Sequence, residues 1–237
     1  MTHMTPSQSS SSRLTRRSLI KSSAAAAVAA LAANRRFAQQ DESAPIRCAN
    51  LIYGREKTSV CFASRFMADA MQHTHLRTES AFRNVRLDSD ELFEHPFAVM
   101  SGEGIFTLTM PQRNNLERYL MYGGFLVASA GCSNLSWAKS FRRAIEKVFP
   151  DRKMETLTAD HRVYHTVYDI NRLRTRLPDH DAKLEALVIE GRIVAVFSED
   201  GLNDTANAGG DCCCCGGNEI LESSKMNVNL LAYALTH

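Results

Sequence analysis

Acidic residues are missing from the first 37 positions of this 237-residue chain, where six basic side chains stand unopposed: Arg13, Arg16, Arg17, Lys21, Arg35 and Arg36. The whole chain has 28 lysines and arginines against 26 acids, so the part beyond position 37 holds 22 against 26, a net of −4. The slight basic balance belongs to the leader, and a mildly acidic remainder argues against nucleic acid as a partner. The sequence shows no internal repeat. That leaves one domain of about 200 residues, enough to bury a substantial core. A membrane-spanning run is also lacking in the leader. Its alanine-rich stretch, residues 22–33, is 12 positions long, against the ~20 apolar residues that a transmembrane helix needs.

What the leader does hold is Thr15-Arg16-Arg17-Ser18-Leu19-Ile20-Lys21, a close match to a twin-arginine export motif. The alanine-rich stretch follows, with small-residue cleavage sites at Ala30-Leu31-Ala32 and around Phe37-Ala38-Gln39. Residues 1–38 are read as an export signal and 39–237 as the working domain, periplasmic or otherwise extracytoplasmic. The competing reading is a disordered basic tail with a chance Arg-Arg pair. Export by this route moves folded proteins, often with a cofactor loaded, into a compartment where thiols oxidise unless bonded or ligated.

Cysteine is where the chain departs most from an ordinary domain. There are seven: Cys48, Cys61, Cys132, and the uninterrupted run Cys212, Cys213, Cys214 and Cys215, bracketed by Gly209, Gly210, Gly216 and Gly217. An odd number cannot be fully paired within one chain. Neighbouring Cα atoms lie about 3.8 Å apart, below the usual disulfide range of about 4.4–6.8 Å, so a bond between adjacent members is strained. Cys212 and Cys215 form a C-x-x-C pair that could bridge a turn. Two or three thiolates of the run, joined by Cys132, could instead hold a soft ion such as zinc, copper or iron. Metal ligation, disulfide or redox chemistry, and no defined role are all open. Cys48 and Cys61 lie in apolar patterns and read as core.

The remaining pattern alternates strands with helices. Strands are predicted at 46–53, 97–101, 125–129, 184–189 and 192–197, the last two joined by a Glu190-Gly191 hairpin. Helices are predicted at 60–73, at 111–122 with Pro111 in the first turn and Gly123-Gly124 as the stop, at 135–149, and from a Ser223 or Ser224 cap to 235. A glycine-rich loop at 198–217 carries the cysteine run. This order gives an α/β fold with a largely parallel sheet, helices on both faces and one late hairpin. Ligands of such sheets sit beyond the strand carboxyl ends. Four loops should meet there, at residues 53–55, 101–104, 129–133 and 198–217, bringing Cys132 and the run to one rim.

Other candidates are weaker. Glu103, between two glycines at a strand end, is either a solvated loop carboxylate or a metal ligand or base. Arg55 could bind an anion or be a plain surface charge. Asp160-His161 and His165 offer an acid/base or metal pair, but Val163, Tyr164 and Val167 read as extended, which would hold residues four apart about 13 Å from each other. His73 and His75 read as helix-end residues and Trp137 as core. The polar segment 203–207 could ligate a metal or bind a sugar, or simply satisfy its own backbone.

Several segments, taken together, resemble one bacterial family. They are Pro96-Phe97-Ala98-Val99-Met100-Ser101-Gly102, Gly123-Gly124-Phe125-Leu126, Ser140-Phe141-Arg142-Arg143, Asp160-His161 and Asn227-Val228-Asn229-Leu230-Leu231-Ala232-Tyr233-Ala234-Leu235. In this order they are similar to the domain of unknown function 4159 family over residues 46–237. The resemblance implies a class I glutamine-amidotransferase-like, flavodoxin-like three-layer sandwich, and no established activity. Amidotransferases of that class place a nucleophilic cysteine on a sharp turn after a central strand, where Cys132 falls. They also use a histidine after a later strand, and here that strand runs into Ser198-Glu199-Asp200-Gly201, with no histidine. A thiol without a base loses thiolate and a proton donor for the leaving group. The expectation is therefore a binding or structural module with a thiolate metal or redox site on the rim, its partner an unidentified small molecule or protein. Two alternatives stand beside it. One is a hydrolase or amidase using Cys132, with His161 or Glu103 in support. The other is a degenerate fold that binds a protein or carbohydrate.

Overall fold

The computed structural model describes residues 44–55, 62, 65–202 and 218–237. The export motif, Cys61, the polar segment 203–207 and Cys212–Cys215 lie outside the described residues.

The centre of the fold follows from two strands that are apolar on both faces. β3 (Phe97–Gly102) and β4 (Phe125–Ala130) pair in parallel over six positions, Phe97 with Phe125 through Gly102 with Ala130, and nearly every side chain is buried. That is the pattern expected of a parallel strand covered on both sides. β1 (Cys48–Ile52) lies parallel to β3 on one side, and β7 (Arg192–Ser198) parallel to β4 on the other. β2 (Arg83–Arg86) closes one edge. At the other edge β6 (Leu184–Ile189) runs antiparallel to β7, and the two-residue β5 (Glu155–Thr156) runs antiparallel to β6. The seven-stranded order is β2-β1-β3-β4-β7-β6-β5. The β6–β7 turn has φ of 52° at Glu190 and 79° at Gly191, the left-handed pair that a two-residue hairpin requires.

Four helices cover the sheet. α1 (Arg65–His73) and α4 (Ser223–Thr236) share one core with Phe97, Val99, Phe125 and Val127. α2 (Met110–Met121) and α3 (Leu135–Val148) share the other with Ala98, Met100, Leu126 and Ala128. The alternation of residues 97 to 100 between the two cores is the period-two signature of a strand. α2 begins with a complete capping box, Thr109 with Gln112, and Pro111 in its first turn. Gly123, at φ 113°, ends it.

Two local expectations are corrected. Neither Ser223 nor Ser224 caps the last helix: Glu222 holds that position without a side-chain capping bond, and Ser223 is the first helical residue. Val163 and Tyr164 are not extended. They sit in a single 3₁₀ turn, Arg162–Tyr164, because the His161 ring accepts a hydrogen bond from the Val163 amide and closes the turn locally.

Candidate functional site

The rim at the carboxyl ends of β1, β3, β4 and β7 is built by backbone constraints. β4 ends in a 3₁₀ turn, Gly131–Ser133, in which Cys132 has φ 48° and ψ 32° and Ser133 has φ 51°. A non-glycine residue there costs about 1–2 kcal/mol, so neighbours must hold the turn. The Asn134 amide donates to the Gly131 carbonyl at 2.9 Å. The Asn134 side chain caps α3 by accepting from Trp137 N at 3.0 Å, and it also accepts from Gly104 N at 3.1 Å, which ties the β3 loop to the β4 turn. A β-carbon on Gly131 would lie 2.9 Å from the Gly102 carbonyl oxygen and 3.4 Å from Glu103 Cγ. Glu103, exposed at this edge, therefore packs over the residue before Cys132.

Below the rim, the buried Tyr53 hydroxyl donates to the Ser101 carbonyl at 2.8 Å and accepts from Trp137 Nε1 at 2.6 Å. Burial pushes this phenol up to about 12, so Tyr53 serves as a fixed hydrogen-bonding post. Gly54 is held by both ends of the Gln112 amide, each at 3.2 Å.

The β7 side adds groups that local sequence reading did not bring together. Asp200 follows β7, and its Oδ2 lies 3.1 Å from His180 Nε2. Its Oδ1 accepts from Asn218 Nδ2 at 2.7 Å. The Ser133 hydroxyl donates to the Asn218 carbonyl at 2.7 Å, and the Ser129 hydroxyl accepts from Leu202 N at 2.9 Å. Segment 203–217 thus leaves at Leu202 and returns at Asn218, and both ends are bonded to residues that bracket Cys132.

The sequence-derived candidates separate into three groups. Cys132 and Glu103 meet on the rim. His161 is elsewhere: its ring lies 5.9 Å from that of Tyr233, which in turn lies 6.3 Å from Phe125 at the amino end of β4. The six residues of β4 separate that end from Cys132, about 16 Å at the usual strand rise. Cys212, Cys213, Cys214 and Cys215 lie outside the described residues. Cys48 is fully buried, and burial pushes its thiol far above the usual range, which makes it inert packing. The missed pair, His180 and Asp200, carries no spacing signal, since the β6–β7 hairpin lies between them.

Chemically, the rim presents a thiol two residues before the N-cap of a 14-residue helix. A carboxylate and an imidazole–carboxylate pair stand on the loops around it. Among the described residues, no group of three or more histidine, cysteine or acidic side chains is arranged to hold a metal. Among the same residues, no helix is long and apolar enough to cross a membrane.

No curated protein matches the chain. The family described as Domain of unknown function (DUF4159) matches residues 47–235, from just before β1 to the end of α4. The matched span takes in the whole sheet and the rim around Cys132, and the chain belongs to this family of domains of unknown function.

Proposed function

We propose that the carboxyl-end rim is a thiolate site in an exported, flavodoxin-like domain, in which Cys132 and members of the run Cys212, Cys213, Cys214 and Cys215 bind a soft metal ion such as zinc, copper or iron. The observation that carries this reading is the pinning of Leu202 and Asn218 to the residues around Cys132. Cys215 is three positions before Asn218, so the chain can separate their Cα atoms by at most about 11 Å. The parallel strands, in the order β2-β1-β3-β4-β7, support the flavodoxin-like assignment, because that fold runs 2-1-3-4-5 and binds its ligands at the β1/β3 switch point. Thr15–Lys21 supports the export. The site belongs to a binding module; an ion held by two or three thiolates keeps a position open for a partner.

The test is elemental analysis of protein exported through its own leader and purified without chelator. About one equivalent of metal, lost in C212S/C215S and weakened in C132S, is the expected result. Metal-free protein with the run oxidised sinks the reading. Export is tested separately: Arg16→Lys together with Arg17→Lys should retain the protein in the cytoplasm, and unchanged export would remove the twin-arginine assignment.

The His180–Asp200 contact favours a second reading, in which Cys132 is a nucleophile toward an amide or ester. The thiolate would attack the carbonyl carbon, and His180, oriented by Asp200, would return a proton to the leaving group. This supplies the imidazole missing after β7, from a loop that precedes β6.

A further inference from the structure

At the opposite end of the molecule, a cavity of about 670 Å³ opens between the end of α1, the 3₁₀ turn Arg162–Tyr164 with the residues after it, and the end of α4. α4 starts beside the rim and runs 14 residues away from it, about 21 Å of helix, so this cavity is separate from Cys132.

Its chemistry is mixed in a specific way. Leu76, Val167 and Ala232 supply apolar surface, while Arg162, His165, His73 and His237 supply basic groups. Arg162 has no carboxylate within ion-pair distance among the described residues; its Nη1 lies 3.3 Å from His237 Nε2. A guanidinium can only donate, so in this contact the His237 Nε2 is the acceptor. The ring's Nδ1 then donates to Thr236 Oγ1 at 2.9 Å, and Thr236 donates to the Ala232 carbonyl at 2.7 Å. The His237 ring thereby helps to position the guanidinium. His165 behaves differently. Its Nε2 meets the Ala159 carbonyl at 2.7 Å and its Nδ1 meets Asp169 Oδ1 at 3.1 Å, two acceptors that favour the protonated ring. Asp169 answers that second charge, and Asp160, which accepts from the Thr158 hydroxyl, adds a negative charge that acts on His161 and His165.

We infer that this cavity is a binding site for a small organic anion with an apolar body, its acidic group taken by Arg162 and its body lying against Leu76, Val167 and Ala232. A guanidinium outside any ion pair among the described residues, beside apolar walls and in a cavity within the ordinary size range of ligand pockets, is the combination such a ligand needs.

Fluorescence titration of the full chain with 8-anilinonaphthalene-1-sulfonate, and in parallel with the uncharged N-phenyl-1-naphthylamine, tests this directly. The sulfonate should bind saturably at one site, and Arg162→Gln should weaken it about tenfold or more, the loss of one charge-assisted hydrogen bond, while the neutral dye changes little. Val167→Asp is the second variant, because Val167 is 36% exposed and its substitution leaves the core intact. It should weaken the sulfonate and spare the neutral dye to a much greater degree. Unsaturable binding, equal binding of the two dyes, or sulfonate affinity unchanged in both variants would overturn the assignment. Circular dichroism melts matching the parent confirm that either loss is local.

Discussion

Ser133 donates its hydroxyl to the carbonyl of Asn218, 85 positions away, at 2.7 Å. A few residues back, Ser129 accepts from the buried amide of Leu202 at 2.9 Å. The two serines tie the same pair of loop ends, yet their loss should not cost the same. The Asn218 carbonyl also accepts from Gly201 N at 2.8 Å, so Ser133→Ala strands no buried group and should cost about 0.5–1.5 kcal/mol. Ser129→Ala leaves the Leu202 amide without its acceptor and should cost more, about 1–3 kcal/mol. Urea unfolding of the two variants checks the order, and a larger cost for Ser133→Ala would contradict it.

Gly102 is required by its surroundings. A β-carbon there would fall 2.2 Å from the Tyr53 hydroxyl and 3.0 Å from Trp137 Nε1, and the Tyr53 ring is held edge-on to Phe106 at 4.9 Å. Gly102→Ala should destabilise by about 3 kcal/mol, the upper end of ordinary overpacking. Tyr53→Phe removes the obstructing oxygen, so the double variant should be more stable than the sum of the single losses, with a coupling in the range of about 0.5–3 kcal/mol. Strict additivity would place the strain elsewhere.

The left-handed backbone of Cys132, φ 48°, makes a prediction independent of any chemistry. Alanine keeps the β-carbon and its strain, whereas glycine relieves about 1–2 kcal/mol and returns part of that as chain entropy. Cys132→Gly should therefore be more stable than Cys132→Ala by about 0.5–1 kcal/mol. Midpoints of denaturant unfolding at unchanged slope read the difference, and alanine being equal or better would mean that the turn carries no strain.

These sites differ in how legible they were. β3, β4 and the β6–β7 hairpin could be read from sequence, because continuous apolar runs and a Glu190-Gly191 turn are local signals. β2 could not: in Arg83–Arg86 only Val85 is buried, so an edge strand carries one apolar residue and no period. β5 is two exposed residues recruited by β6. At the rim, the meeting of Cys132 with Glu103 followed from strand ends alone, because parallel neighbours deliver their loops to one edge. The His180–Asp200 pair did not, since His180 reaches the rim through irregular chain that only tertiary packing positions. His161 shows the converse: a histidine beside an acid looked like a candidate in sequence, but its ring closes its own turn.

His161 and His165 should pull acid stability in opposite directions. Burial holds the His161 imidazole below its usual range, and its neutral ring must accept the Val163 amide. A lowered folded pKa means that stability is present above the unfolded value, about 6.5, and is lost as pH falls through the folded value. The bond to the Ala159 carbonyl, and then Asp169, raise His165. Its contribution is fully present below about 6.5 and is lost as pH rises through the folded value. His161→Asn, which keeps an acceptor, should make the protein more tolerant of acid than its parent, and His165→Gln less tolerant. Urea midpoints across the histidine range test this, and shifts of the same sign in both variants would be inconsistent with it.

The two readings of Cys132 part over His180. If the ring approaches the thiol, it stabilises the thiolate, the reactive form. Iodoacetamide labelling of Cys132, followed by peptide mass spectrometry so that Cys212 to Cys215 do not interfere, then has a measurable pH profile. His180→Gln should change that profile and slow labelling at neutral pH. Asp200→Asn leaves the imidazole in place but removes the carboxylate charge of the 3.1 Å contact that orients it, so a smaller effect in the same direction is expected. Superimposable profiles for the parent and both variants would remove the imidazole from the thiol's chemistry. That outcome would remove the nucleophile reading and leave the proposed ligating role to the elemental analysis.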